Sequence, residues 1–168
     1  TWSKQLKAYL ETKAFENSCN YWDKVNLNNI QKLPKDEVNL EIDTKSSEVS
    51  FNLTKEETQA LLKDVNYAFG TKINDVLLTA LALSFKKHYN MNHVLVEMEG
   101  HGREAINSQV DITRTIGWFT SIYPVLLNVE DEEIVDTLIR VKEDLRKIPN
   151  KGFDYLLYKH CLLYTSDA

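Results

Sequence analysis

The sequence has few of the residues that build metal centres and disulfide frameworks. Its 168 residues include two cysteines, Cys19 and Cys161, which lie far apart with no second group of ligands beside them. Neither a zinc site nor a disulfide framework is therefore indicated, and we expect two reduced thiols in a cytoplasmic protein. Motifs for a metal, a flavin or pyridoxal phosphate are also missing, so we expect no directly bound cofactor.

Long apolar runs and basic stretches are absent too. No run approaches the ~20 apolar residues of a membrane span, and no signal peptide opens the chain. The net charge is -5 at pH 7 and no stripe of Lys and Arg appears. Nucleic acid is therefore disfavoured as a partner, because its binding depends on basic side chains that neutralise phosphates. A composition of 43% hydrophobic residues is enough for one core of ordinary size, so we expect one domain.

The spacing of apolar residues in the first half predicts helices with one strand between them. The expected elements are one or two helices over 2–24, a connection over 26–47, a strand over 48–53 and a helix from Thr54 to Gly70. The strand is predicted from the alternation of Val49, Phe51 and Leu53. The last helix is predicted from the capping-box pattern Thr54 to Glu57, which pairs free backbone amides at a helix start.

The second half continues as a mixture of helix and strand. The expected elements are a helix over 73–89, a strand over 94–99, an extended run over 115–129, a helix over 132–147 and a turn over 149–152. The helix over 73–89 is apolar on most sides and should be largely buried. Asn74 and Asp75 at its start are expected to be capping groups, with a substrate-facing role as the alternative. The strands are too few and too scattered for a Rossmann sheet.

Two carboxylates share one face of the strand predicted over 94–99. Because side chains alternate along a strand, Glu97 and Glu99 lie on one face and Val96 and Met98 on the other. The carboxylate face is either a solvated outer face or the wall of a cleft. In a cleft, burial or mutual repulsion would raise a carboxyl pKa above its ordinary value of about 4.3 and allow proton exchange near neutrality.

Glycines surround the next possible acid-base group. Gly100 and Gly102 bracket His101 and permit backbone angles or close approaches that a Cβ would forbid. His101 is then either a base or a hydrogen-bonded structural group beside a turn. Arg103 and Glu104, which follow, can pair locally.

These residues open the segment Glu99–Pro124, EGHGREAINSQVDITRTIGWFTSIYP, which closely resembles part of the epimerization domains of nonribosomal peptide synthetases. Further matches are Thr1-Trp2 at a helix start, NDVLLTA from Asn74, RTIGWFTS from Arg114 and PNKG from Pro149. Epimerization domains are relatives of condensation domains in the chloramphenicol-acetyltransferase-like superfamily, which implies an α+β fold, a mixed two-layer sandwich. The resemblance covers about residues 1–155. It implies the C-terminal half of such a domain, because the HHxxxDG signature with the family's catalytic histidine is absent from these 168 residues.

The resemblance implies a racemisation reaction. An L-aminoacyl or peptidyl thioester, carried on the phosphopantetheine arm of a peptidyl carrier domain, would be converted to its D form. Two acid-base groups must flank Cα, because a proton leaves one face and returns to the other. Glu99 would supply one group, and the histidine of an N-terminal lobe of the same domain the other. The expected partners are that lobe and the carrier domain, and this chain alone is expected to be inactive.

The resemblance also implies a tunnel for substrate and pantetheine. Its expected lining is His101, Arg114, Trp118, Thr120, Ser121 and Tyr123. For Arg114, a contact to a carboxylate or to the pantetheine phosphate and a structural salt bridge remain alternatives. For Trp118, the alternative is an ordinary position in the core.

Three other functions remain open. A peptide-bond-forming condensation domain is disfavoured, because such domains tend toward a small residue, phenylalanine and then asparagine-threonine where this chain has Gly117-Trp118-Phe119-Thr120-Ser121. A noncatalytic carrier-docking fragment is favoured by the missing catalytic histidine. A free-standing acetyltransferase would need a catalytic histidine near its C-terminus, and His160 lacks the accompanying HxxxD pattern.

The end of the chain departs from the family pattern. Asp154 stands where a glycine-tyrosine-glycine continuation would be expected, and CLLYTSDA from Cys161 no longer follows the family. We therefore expect a partial domain over 1–160 and a non-native or disordered tail over 161–168. The chain begins at Thr1 rather than at methionine, as though cut from a longer protein, and an apolar surface is expected where the N-terminal lobe would pack.

Overall fold

The computed structural model describes residues 2–25, 27, 30–34, 47–104, 106, 110–130 and 133–161. In chain order the elements are α1 (Trp2–Leu10), α2 (Lys13–Trp22), α3 (Lys55–Gln59), α4 (Asn66–Phe69), α5 (Ile73–Tyr89), β1 (His93–Gly100), β2 (Ser121–Asn128), α6 (Ile134–Lys147) and α7 (Tyr155–Cys161). A π-helical stretch, Ala60–Val65, joins α3 to α4, and a 3-10 turn, Pro149–Gly152, precedes α7. This combination of helices with a small sheet confirms the predicted α+β fold.

The chain divides into two compact units. The first contains the described residues of Thr1–Asn29, Leu95–Leu126 and Glu143–Ala168, and the second contains those of Ile30–Val94 and Leu127–Lys142. All site residues named from the sequence belong to the first unit. Of the tail predicted over 161–168, Cys161 is the last residue of α7, and residues 162–168 lie outside the described residues.

Strands β1 and β2 form the sheet of the described chain. The amide of Val129 donates to the carbonyl of Asn92 at one end, while a Cβ on Gly100 would lie 2.8 Å from the Ser121 hydroxyl at the other. The start of β1 therefore meets the end of β2, which makes the pair antiparallel. Burial along β1 alternates as predicted, with Glu97 on the exposed face.

An aromatic cluster forms the core of the first unit. Tyr9, Phe15 and Phe153 are buried together, and Trp2 and Leu6 pack against them while partly buried. The ring centroids of Tyr9 and Phe15 are 5.7 Å apart in an edge-to-face arrangement, which aromatic pairs prefer. These contacts fix α1, α2 and the turn before α7 against one another.

The same core contains a fully buried carboxylate. Asp154 is 0% exposed and accepts hydrogen bonds from the Tyr9 hydroxyl at 2.7 Å, the Ser18 hydroxyl at 2.8 Å and the Asn150 side-chain amide at 2.7 Å. Burial, followed by the hydrogen bond to Asp154, raises the pKa of Tyr9 far above its ordinary range. The residue that departs from the family pattern is thus the acceptor at the centre of a polar network.

In the second unit, one predicted helix start is confirmed and one predicted strand is wrong. Thr54 and Glu57 form the predicted capping box, with the Thr54 amide donating to the Glu57 carboxylate at 2.8 Å. The strand predicted over 48–53 is wrong, because these residues form neither helix nor strand and Val49 and Phe51 are 94% and 86% exposed. Alternation alone predicted that strand, but in the described chain no neighbouring strand supplies its backbone hydrogen bonds.

Helix α5 has the predicted bounds but not the predicted burial. Its buried residues are Asp75, Leu78, Thr79 and Ala82, whereas the apolar residues Leu77 and Leu81 are exposed. Asp75 accepts a hydrogen bond from the Lys72 amide at 2.8 Å, which supports the capping role. The expectation of a largely buried helix is therefore wrong, since one narrow face is covered.

Candidate functional site

Glu99 lies near the C-terminal end of β1, on the exposed face of the strand. Glu97 and Glu99 occupy the same exposed face of the strand, as the alternation predicted. Glu99 has no hydrogen bond or ion pair to any part of the chain that the structure describes. Its surroundings are those of the solvated face rather than of a closed cleft, and its carboxylate is accessible from outside.

A close backbone contact shapes the turn after Glu99. Gly102 has φ +64°, and a Cβ there would lie 1.5 Å from the carbonyl oxygen of Phe119. No other amino acid fits this position, because the left-handed angle disfavours a side chain and the contact leaves no room for one. The predicted close approach at a glycine is confirmed, and it joins the segment after β1 to the segment before β2.

Both ring nitrogens of His101 are engaged. Nδ1 accepts the amide proton of Arg103 at 3.0 Å, so Nε2 carries the ring proton of the neutral imidazole. Nε2 lies 3.2 Å from a carboxylate oxygen of Glu104. Both ring nitrogens therefore have partners within the described chain, and this arrangement favours the structural interpretation of His101.

Glu104 is surrounded by charged and polar groups. Besides His101, it binds the ammonium group of Lys151 at 3.1 Å. Burial, together with the negative charge of Glu104, raises the pKa of Tyr123 above its ordinary value. The ring of Tyr123 lies against Gly152, where a Cβ would be 2.1 Å from a ring carbon. The turn before α7 is thereby fixed to the turn after β1.

Arg103 binds the neighbouring loop rather than Glu104. Its guanidinium group donates to the carbonyls of Ile112 and Gly117, and its central carbon lies 4.1 Å from the ring centroid of Phe119. The local pairing of Arg103 with Glu104 that the sequence permits is therefore not observed. A planar guanidinium can donate in several directions while stacking on a ring, which suits it to hold this loop.

The predicted tunnel residues fall into separate groups. Trp118, Thr120 and Ser121 line a cavity of about 160 Å³ in the first unit, whereas His101 and Tyr123 lie around Glu104. Trp118 is 90% exposed at the cavity edge, so it is not a core residue. Arg114 is exposed and has no partner among the residues described, so the structural salt bridge, one of its two alternatives, is not observed there.

The sheet separates Glu99 from this cavity. The Ser121 side chain lies beside Gly100, and consecutive residues of a strand point to opposite faces. Glu99 therefore points away from the face on which Ser121 and Gly100 meet. The sequence predicted one site made of the catalytic Glu99 and six tunnel-lining residues, whereas the structure places Glu99 and Ser121 on opposite faces of the sheet.

Two residues that position this region were not predicted as site residues. Lys151 lies in the PNKG turn, for which the sequence predicts turn chemistry alone, and its pairing with Glu104 spans 47 positions of sequence. For Glu104 the sequence indicates only a local pairing. One signal in the sequence could have indicated this pairing. Glu104 and Lys151 have opposite charges, and each lies in a segment that matches the family.

The structure also bears on metals and membranes. Over the residues that are described, no group of three or more His, Cys, Asp or Glu side chains is placed to hold a metal ion. In the same residues, no helix is both long and apolar enough to cross a membrane.

Comparison with known proteins now assigns the family. The family model described as "Condensation domain" matches residues 1–165. The chain belongs to the condensation domain family. Gramicidin S synthase 1 of Brevibacillus brevis is 42% identical to this condensation domain over 163 residues, which are 95% of the chain and 15% of the relative. The chain thus spans a small part of that multidomain protein.

Solved structures extend the comparison. The epimerization domain from the third module of tyrocidine synthetase B is 38% identical, with a TM-score of 0.81 over 95% of this condensation domain and 36% of that structure. The first condensation domain of the CDA synthetase is 20% identical, with a TM-score of 0.58 over 86% of this chain and 31% of that one, and shows the fold alone. The family resemblance stated from the sequence is confirmed.

Proposed function

We propose that this chain is part of an epimerization domain in which Glu99 is one of two proton-transfer groups. The similarity to a solved epimerization domain supports the reaction type. The structural observation that carries the proposal lies within EGHGRE: in the described chain His101, Arg103 and Glu104 are engaged internally, while Glu99 has no internal partner. A carboxylate on a fixed turn and without a partner can receive a substrate proton.

The substrate proposed is an aminoacyl or peptidyl thioester on the phosphopantetheine arm of a carrier domain. The thioester carbonyl acidifies the Cα proton, because the resulting negative charge delocalises into an enolate. Glu99 would remove or return this proton on one face of Cα. The second group on the opposite face would be the histidine of the HHxxxDG signature, which these 168 residues do not contain.

The geometry around Glu99 is suited to positioning. Gly102 holds the turn against the Phe119 carbonyl, and Arg103 holds the following loop. A general base acts efficiently only when it stays within hydrogen-bond reach of the proton. These two contacts therefore restrain the backbone of the turn that follows Glu99.

The test uses the complete domain that contains this chain, incubated in deuterated solvent with carrier-bound L-aminoacyl thioesters. Mass spectrometry would follow deuterium at Cα, and chiral analysis of the released amino acid would follow the D form. Deuterium incorporation together with D product is expected. Peptide-bond formation with a second loaded carrier, without Cα exchange, would instead identify a condensing enzyme. Carrier binding without either reaction would identify a docking module.

A further inference from the structure

The PNKG turn before α7 contains three consecutive residues in the left-handed region. Asn150, Lys151 and Gly152 have φ angles of 47°, 51° and 74°. Residues with a Cβ rarely adopt this conformation, and the strain persists only where surrounding contacts maintain it. Contacts of the turn with its neighbours must therefore compensate for its backbone.

The Asn150 side chain fixes the turn to the buried core. Its amide group donates to the Asp154 carboxylate and to the Tyr9 hydroxyl, each at 2.7 Å. The Asn150 carbonyl accepts the Phe153 amide proton at 3.1 Å. Asparagine also tolerates the left-handed region better than most residues do. Position 150 thus combines a tolerant backbone with an anchored side chain.

The other side of the turn lies against the strand that contains Glu99. A Cβ on Gly100 would lie 3.6 Å from the Lys151 carbonyl oxygen and 3.7 Å from the Tyr123 ring. The Tyr123 ring in turn lies against Gly152. Because neighbouring residues of a strand point to opposite faces, the turn supports β1 from the face opposite to the Glu99 carboxylate.

We propose that Asn150 is a positioning residue for Glu99: its left-handed conformation places the Lys151 carbonyl and Gly152 where they support the end of β1. This inference rests on the proposed function, in which Glu99 transfers the Cα proton. Asn150 acts through the turn rather than by contact with the substrate. A displacement of ~1 Å at a reacting group can cost ~10² in rate, so a change in this turn affects the reaction.

Two substitutions in the complete domain distinguish the backbone conformation of Asn150 from its side chain. Asn150→Ala and Asn150→Gly both remove the amide group, but glycine adopts the left-handed region freely and alanine does not. Asn150→Ala should lower kcat for Cα deuterium exchange about tenfold at an unchanged KM for the loaded carrier, and Asn150→Gly should recover most of that loss. The kcat is expressed per folded molecule, so that a change in stability alone leaves it unchanged.

Asn90 provides the matched control. It follows α5 in the second unit and is left-handed at φ 52°. Asn90→Ala has a similar backbone cost and should leave kcat unchanged. Equal losses of kcat for Asn150→Ala and Asn150→Gly, or a similar loss for Asn90→Ala, would overturn the proposal.

NMR on the chain labelled with nitrogen-15 glycine separates this inference from the proposed function. The chain contains five glycines, and Asn150→Ala should shift the amide signals of Gly100 and Gly102 but not that of Gly70 in the second unit. Asn150→Gly should leave the Gly100 and Gly102 signals close to their parent positions. Unchanged Gly100 and Gly102 signals in Asn150→Ala would overturn the inference even if the complete domain exchanges Cα protons. The expected shifts, together with a complete domain that exchanges no Cα proton, would support the coupling of the turn to β1 and overturn the proposed function alone.

Discussion

Glu99 and Glu97 provide a matched pair of carboxylates on one exposed strand face. In the complete domain, Glu99→Gln should lower the rate of Cα deuterium exchange by ~10² to 10⁴, because glutamine keeps the size of the side chain but cannot exchange a proton. Binding of the carrier should be nearly unchanged. Exchange is measured by mass spectrometry of the carrier-bound aminoacyl group.

Glu97→Gln is the control for this prediction. It removes the same charge one pleat further from the glycine turn, and it should leave the exchange rate close to that of the parent. Equal exchange rates for the parent and Glu99→Gln would remove Glu99 from the mechanism. A common loss in both variants would instead indicate a general effect of charge on this face.

Asp154 is the residue on which the buried polar network depends. Asp154→Asn should lower the free energy of unfolding by about 2 kcal/mol, because three donors then face a neutral amide that accepts less and donates itself. Urea unfolding followed by tryptophan fluorescence measures this change.

Asp144→Asn is the corresponding change near the surface, where Asp144 pairs with Lys147 at 2.7 Å. It should change the free energy of unfolding by less than about 0.5 kcal/mol, since ion pairs near solvent contribute little. A cost for Asp154→Asn as small as this control would show that the network does not stabilise the fold.

At the scale of the elements, two glycines have similar backbone angles but different surroundings. Comparing their alanine variants therefore distinguishes the stability cost of the backbone angle from that of a close contact. Gly70 ends α4 at φ +57° with no atom within 4 Å of an added Cβ, whereas Gly102 at φ +64° meets the Phe119 carbonyl. Gly70→Ala should cost about 1 kcal/mol, the price of a left-handed angle. Gly102→Ala should cost more than about 3 kcal/mol, because the turn and the loop must separate.

Thermal and urea unfolding of the two variants test this difference. Since the angles are nearly equal, the excess cost of Gly102→Ala reports the contact between the two segments. Similar costs for both alanine variants would contradict that contact.

The sequence predicted well those elements that depend on interactions within a few residues. The capping box at Thr54 and the bounds of α5 follow from interactions within a few residues, and both were confirmed. The strand over 48–53 was predicted wrongly because pairing depends on a distant partner. The same limit applies to the site: the contacts of Asp154 with Tyr9 and of Lys151 with Glu104 join residues 145 and 47 positions apart. Family resemblance singled out Glu99, but it did not reveal which neighbours hold the turn.

For the molecule as a whole, hydrogen-bonded tyrosines predict a loss of stability in alkali. Burial and Asp154 raise the pKa of Tyr9, and the hydrogen bond to Asp23 raises the pKa of Tyr158 from 10.0 to about 12. Both groups are therefore harder to deprotonate in the folded chain than in the unfolded one. Their contribution is fully present below pH 10 and is lost as the pH rises toward and beyond 12.

Urea unfolding between about pH 9 and pH 12 measures this dependence. The double variant Tyr9→Phe with Tyr158→Phe should be less stable than the parent near neutrality and should lose less stability as the pH rises. An alkaline slope identical to that of the parent would show that these two hydroxyls are not its source.

Exposed apolar side chains predict self-association. In the second unit Val49, Phe51 and Tyr67 are 94%, 86% and 93% exposed, and in the first unit Ile116 is 100% exposed. Light scattering should show a mean mass that increases with concentration, because contact between such side chains removes apolar surface from water. Val49→Ser with Phe51→Ser should reduce the increase. A single monomeric species at high concentration would contradict this prediction.

The contact of Gly102 with the Phe119 carbonyl has a consequence for domain engineering. The segments before and after the 105–116 stretch fit each other at the level of backbone atoms, and Glu104 also pairs with Lys151. A chimera that imports EGHGRE from a related domain but keeps the native GWFTS and PNKG segments would combine contact surfaces from two different parents. Crossover points are therefore better placed outside all three segments, so that EGHGRE, GWFTS and PNKG come from one parent.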